Sequence, residues 1–252
     1  MELASKHIFS ILLKASRCNT FSKQREMNSK TYNTYNRIRA YLFQLLNAKF
    51  GTEKERIGYF SSFISNHDFD SILDLGCGRG SLLDAITEST KSKLLVGVDL
   101  IKNQQDLYQH VVADATRLPF KNDAFSFVTA FSLIEHIPKE KRKMFYKEAR
   151  RVIRKGGRFV VQLPNRYFIV ESHTYLPFFG FLSSSMHLFA YRGGYVAVPS
   201  LKSVIRSLKE YGFWTYDVKK YEGIFLPFGS FLSKLGLYHF LPMGYIVYTQ
   251  VS

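Results

Sequence analysis

Three glycines within five residues, Gly76, Gly78 and Gly80, carry the first chemical signal in this sequence, and Asp74 stands two positions before them. A loop of this kind turns tightly and lets a ligand approach the backbone, because no Cβ intervenes. Amides at the start of a following helix then face that ligand. The spacing separates two ligand chemistries. A dinucleotide fingerprint, Gly-x-Gly-x-x-Gly, seats a pyrophosphate on the helix start. Here the third glycine comes one residue early, and Ser81 occupies the fingerprint position. A carboxylate at Asp74 would repel a pyrophosphate and attract a cationic amino group. Asp99 follows 25 residues later, where its two oxygens can accept both hydroxyls of a ribose.

These groups can act together only if the chain brings them to one rim, and the pattern of elements predicts that it does. Short apolar runs at Ser71–Leu75, Leu94–Val98, His110–Val112, Phe125–Ala130 and Arg158–Leu163 read as strands. Helical patterns lie between them, at Ser81–Thr87 and Lys139–Arg154, the latter stopped by Gly156 and Gly157. Alternation of this kind means right-handed βαβ units in a mainly parallel sheet. In such sheets the ligand sits at the carboxyl ends of the strands. Asp74 and the glycines, Asp99, Asp114, and Phe131 with Ser132 therefore line one crevice. Leu201–Tyr211 follows as a helix with Ser200 as N-cap, and Trp214–Tyr221 and Gly244–Val251 read as the last strands.

Residues 1–66 read as a separate N-terminal helical segment covering the sheet or its ligand, ahead of one ligand-binding domain over 67–252. Residues 164–199 break the alternation. They are aromatic, punctuated by Pro and Gly, and hold Glu171 as their one acid. A long irregular stretch after the fifth strand reads as a lid. Glu171 and His173 form its polar cluster. His136, beside Glu135 after the fourth strand, is another candidate base. The helix bearing Lys141, Arg142, Lys147, Arg150 and Arg151 reads as a solvated outer face, with Met144, Phe145, Val152 and Ile153 at core spacing.

Several of these stretches resemble the motifs of class I S-adenosylmethionine (SAM) dependent methyltransferases. Ser71–Leu82 (SILDLGCGRGSL) resembles their first motif and Val96–Leu100 their acidic second. Val112–Ala115 with Leu118-Pro119-Phe120 is similar to the third. Asp123–Phe125 through Glu135–Ile137 is similar to the fourth, and Glu148–Gly157 to the turn into the fifth strand. The branch resembles the group that includes ubiquinone and menaquinone methyltransferases. The resemblance implies a Rossmann-like, doubly wound, seven-stranded, mainly parallel α/β sheet with helices on both faces and an aromatic lid. It implies SAM as cofactor, with Asp74, Gly76, Cys77, Gly78 and Gly80 around the methionine half and Asp99 on the ribose. Leu100 would pack on adenine. Asp114 would take its amino group, with Ala115 alongside, and Phe131 and Ser132 would border the reactive methyl. The acceptor implied is a small, partly apolar molecule such as a quinone precursor, lipid or glycan unit, with His173, His136 and Glu171 as candidates for acceptor chemistry.

Composition bounds the rest. Lys and Arg number 35 against 20 Asp and Glu, a net charge of +15 over 252 residues. Such a surplus suits nucleic acid or an anionic membrane surface as well as plain solvation. This motivates RNA as an alternative substrate, less favoured because no RNA-binding module is visible. A binding protein without catalysis is a second alternative. Cys18 and Cys77 have no metal-ligand spacing, so no metal is expected, and a reducing cytoplasm is the default compartment. No apolar run reaches the roughly 18 residues of a spanning helix. The stretch Ile8–Leu13 is too short for a secretory signal.

Overall fold

The computed structural model describes residues 52–87, 90, 92–102, 107–168, 196–221, 242 and 244–252. A seven-stranded sheet runs through them. Its strands are β1 (Ser71–Leu75), β2 (Leu94–Asp99), β3 (Gln109–Val112), β4 (Phe125–Phe131), β5 (Ile153–Pro164), β6 (Phe213–Tyr221) and β7 (Gly244–Val251), in the order β3-β2-β1-β4-β5-β7-β6. The first five are parallel. β7 runs antiparallel between β5 and β6. The helices are α1 (Thr52–Ser65), α2 (Ser81–Thr87), α3 (Arg142–Val152) and α4 (Leu201–Glu210). This is the Rossmann-like, doubly wound, seven-stranded and mainly parallel sheet that the motifs implied.

Apolar alternation builds a core on each face, since successive strand side chains point to opposite sides. Leu73 and Leu75 face α3 and α4, together with Phe145, Phe159 and Phe213. Ile72 faces the other way, with Phe60 and Ile64 of α1, Leu83 of α2, Phe127 and Tyr248. All five residues of β1 are buried, as a central strand covered on both faces requires. Ser200 caps α4 by accepting a hydrogen bond from the Ser203 amide at 3.3 Å.

Three readings from the pattern change. The helix expected over Lys139–Arg154 is shorter: a 3-10 turn at Lys139–Lys141 leads into α3, which ends at Val152. Gly156 and Gly157 do not stop it but lie inside β5. Phe125 pairs with Ile153 and Phe127 with Arg158, so extra residues of β5 loop out there, and Gly156 absorbs the bend at φ +74°. Nor is the basic face of α3 uniformly solvated. Arg142 donates to the carbonyls of Ile137 and Ala197. Met144, expected at core spacing, is exposed. The lid residues 169–195, Glu171 and His173 among them, and residues 1–51 of the N-terminal segment lie outside the described residues.

Arg151 is the clearest departure from a solvated role. Its guanidinium donates to the carbonyls of Leu118 (3.0 Å) and Phe120 (2.6 Å) and to both Glu148 oxygens at 2.8 Å. Glu148 in turn accepts the Leu118 amide at 2.8 Å, and its carboxyl is held below the usual range by Arg151. The pair clamps the loop after Asp114 onto α3. Arg151→Met should therefore lower stability by about 1.5–3 kcal/mol, the worth of hydrogen bonds to a charged group. Denaturant midpoints of the two proteins check this; a change within error would mean that the clamp is solvated.

Candidate functional site

The connections from β1 run outward to β2 and β3, and the chain then crosses to β4 on the opposite side of β1. β1 and β4 thus flank the topological switch point, where a crevice opens at their carboxyl ends. The glycine loop leaves β1 there and Ser132 leaves β4. The two turns touch: a Cβ on Gly76 would lie 2.7 Å from Leu133 Cδ1.

Gly76, Gly78 and Gly80 have φ of +71°, +54° and +87°, all in the left-handed region. The loop is tied down by its own backbone. Gly76 and Cys77 amides donate to Val98 O at 2.7 and 3.0 Å, and Gly80 N donates to Cys77 O at 2.8 Å. A Cβ on Gly78 would meet nothing within 4 Å, so this glycine faces open space. Gly80 is the reverse. The Tyr108 hydroxyl lies directly against it, and the same ring crowds Gly97.

The acids surround this loop. Asp99, at the end of β2, accepts the Gly78 amide through Oδ2 at 2.9 Å and the Ile101 amide through Oδ1 at 3.1 Å. Each oxygen keeps a second lone pair. Asp74 lies within β1 at 2% exposure and accepts the Thr129 hydroxyl at 2.5 Å across the β1–β4 pairing. Burial drives its carboxyl up to about 7, and the nearby charge of Asp99 adds to this. Asp114 Oδ1 accepts both the amide and the hydroxyl of Thr116 at 2.8 Å, which leaves Oδ2 for a donor from outside the chain.

Other predicted residues fall elsewhere. The Cys77 side chain is buried beside Gly97, and its thiol is pushed up to about 12, chiefly by burial. Its backbone belongs to the loop, but its sulfur belongs to the core. Leu100 is 71% exposed. Ala115 joins the core. Phe131 meets Phe60 edge-on at 5.0 Å, and Ser132 has φ +50°. After β4, Glu135 is fully buried while the candidate base His136 is exposed. The Glu135 carbonyl accepts the amide of Ala197 at 2.7 Å. Thr129 and Gln162, both fully buried, were missed. Strand pairing was the signal that could have found Thr129, since it lies opposite Asp74 on the neighbouring strand.

Asp74 also makes the fold pH-dependent. In the unfolded chain its carboxyl titrates near 3.8, but in the fold near 7. The folded state therefore holds an extra proton between these values. The stability associated with it is fully present below the lower value and is lost as pH rises through about 7. Asp74→Asn should remove that loss: between pH 5 and pH 8 the wild type should lose stability relative to the variant, by on the order of a few kcal/mol. Denaturation curves at the two pH values test it; parallel behaviour would mean that Asp74 is ionised in the fold throughout.

No described helix is long and apolar enough to cross a membrane, and no group of three or more His, Cys, Asp or Glu gathers among the described residues as for a metal ion. Compared with known proteins, residues 73–161 match the family described as "Methyltransferase domain". The chain is 27% identical over 184 residues to 27-O-demethylrifamycin SV methyltransferase of Amycolatopsis mediterranei, covering 62% of this chain and 63% of that protein. It is 30% identical over 96 residues to tRNA (carboxymethyluridine(34)-5-O)-methyltransferase alkbh8 of Xenopus tropicalis, covering 36% and 15%. It thus spans less than two thirds of the length of each of these relatives. Among solved structures, a SAM dependent methyltransferase from Archaeoglobus fulgidus has the same fold, with a TM-score of 0.55 at 17% identity over 78% of this chain and 92% of that one.

Proposed function

We propose that this chain, which belongs to the class I SAM-dependent methyltransferase family, transfers the methyl group of SAM to a small, partly apolar acceptor such as a quinone precursor, lipid or glycan unit. One observation carries the cofactor reading: the carboxylates of Asp74 and Asp99 flank the glycine loop at the switch point. Two acids there disfavour a phosphate. A cation bound between them relieves their mutual repulsion, which favours a ligand with an ammonium and a sulfonium. The open space at Gly78 gives such a ligand room to meet the backbone.

When bound, SAM supplies an activated methyl on a positively charged sulfur. The chain's task is alignment and exclusion of water. Gly76, Gly78 and Gly80 with Asp74 hold the methionine half. Asp99 would hold the ribose through its remaining lone pairs, and Asp114 would take the adenine amino group beside Ala115. Leu100, exposed at the end of β2, has apolar surface to cover adenine. Phe131 and Ser132 border the transferred methyl.

On the acceptor side, Glu171 and His173 of the 164–199 segment are the proposed polar contacts. His136 is a second base candidate at the rim, because it is exposed where Glu135 is buried. The relative named for a rifamycin supports a small acceptor. The relative named for tRNA, together with the net charge of +15, supports RNA as the second reading. The cytoplasm is the proposed compartment.

Methyl incorporation from labelled SAM into a metabolite panel and into bulk RNA separates these readings. Label in a small apolar compound is expected, with only weak, salt-sensitive RNA binding. Label in one RNA species would overturn the small-molecule reading. Saturable SAM binding with incorporation into neither would favour a binding protein without catalysis.

A further inference from the structure

A chain of buried polar contacts ties the far side of the sheet to the turn at Ser132. Gln162, in β5, is fully buried. Its Oε1 accepts the Ser132 hydroxyl at 2.6 Å, and its Nε2 donates to the Tyr221 hydroxyl at 2.5 Å. Its carbonyl also accepts the Ser132 amide at 3.2 Å. Tyr221 ends β6, 4% exposed, with its hydroxyl lodged against Gly244.

What this chain holds in place is an uncommon backbone. Ser132 is one of two described residues other than glycine with positive φ, at +50°. A side chain in that conformation persists only where the surroundings over-determine it. Three contacts do so here: two from Gln162 and the packing of the next residue, Leu133, on Gly76. The turn therefore carries the position of β5 and β6 across the switch point to the glycine loop.

We infer that Gln162, braced by Tyr221, is a positioning residue that sets the glycine loop for the cofactor's methionine end by holding Ser132 in the left-handed turn. The inference rests on the proposed SAM site. Its physical content is narrow: Gln162 supplies a backbone conformation, not a contact with the ligand. A glycine at 132 adopts that conformation without help, so it should make Gln162 dispensable.

Calorimetry with S-adenosylhomocysteine, the demethylated product, tests this on the full-length protein. Gln162→Leu, close in volume but without polar atoms, should weaken binding roughly tenfold, which corresponds to about 1.4 kcal/mol. Adding Ser132→Gly to it should bring binding to the level of Ser132→Gly alone, although the polar chain stays broken. Tyr221→Phe, which removes the hydroxyl that braces Gln162, should show a smaller loss with the same rescue, and it decides the matter if Gln162→Leu does not fold. Wild-type affinity in a folded Gln162→Leu protein, or in Tyr221→Phe should the leucine variant not fold, overturns the inference. So does a double variant that binds clearly more weakly than Ser132→Gly alone, since a general weakening of the fold would not be cancelled by one glycine. If the wild type itself binds neither SAM nor its product, the proposed function fails instead, and this experiment shows that first.

Discussion

Gly80→Ala should weaken SAM binding by a factor of about one hundred or more, roughly 2.7 kcal/mol. Two independent costs fall on this substitution. At φ +87° an L side chain is strained wherever it points, and the new Cβ would also meet the Tyr108 ring, with Cζ at 2.7 Å. Tyr108 is 7% exposed and shares the crowded space around Gly97 with Cys77 and Leu83, so it has little room to retreat. The loop has to move instead. Its closing bond from Gly80 N to Cys77 O and the first helical bond from Asp84 N to Gly80 O both shift with it. The open backbone face at Gly78 is then no longer presented to the ligand in the same place. Gly58→Ala is the matched control. It lies in α1, has nothing within 4 Å of its added Cβ, and should gain slightly in stability without change in binding. Calorimetric titration of the three proteins decides it. Affinity for SAM unchanged in Gly80→Ala would mean that the glycine loop is not where the ligand binds.

Asp99→Ala is expected to cost at least tenfold in SAM affinity, about 1.4 kcal/mol. The carboxylate does two things that alanine cannot. It has lone pairs for the ribose hydroxyls, and it holds the Gly78 amide at 2.9 Å and the Ile101 amide at 3.1 Å. Asp99→Asn separates these roles, since one oxygen acceptor remains while the charge is lost. Its affinity should fall between wild type and alanine. The substitutions should also move Asp74. With the negative charge at 99 gone, the Asp74 carboxyl loses the smaller of the two influences that raise it, and its titration should shift downward from about 7. Tight binding of a nicotinamide dinucleotide by the wild type, with no binding of SAM, would overturn the whole assignment.

Much of the sheet was legible in advance because the signals were local. β1, α2 and the last two strands fall within a residue of the expected positions, since short apolar runs bounded by glycine or polar residues bury in one way. The glycine loop and the acids at the ends of β1 and β2 were legible for the same reason: the distance from strand end to turn is set by the chain itself. The bulge in β5 was not legible. Gly156-Gly157 fits a helix stop as well as a strand bend, and only pairing with β4 selects the second. The charge on α3 was misleading because sequence does not say which carbonyls lie beside an arginine. Leu118 and Phe120, more than thirty residues away, make Arg151 a clamp.

The sequence by itself determined which residue types stand at the strand ends, and hence that the crevice is acidic and approached by bare backbone. Tertiary structure alone decided how those residues are used. It buried Asp74 and so raised its carboxyl despite the opposing hydrogen bond from Thr129, turned the Cys77 sulfur into the core, and set Glu135 inside with His136 outside. It also joined Ser132, Gln162 and Tyr221 into one polar chain across β4, β5 and β6. The physical reason is the same in each case. Burial and hydrogen-bond partners depend on what neighbouring strands and helices place opposite a residue, and in a parallel sheet those neighbours come from remote parts of the chain.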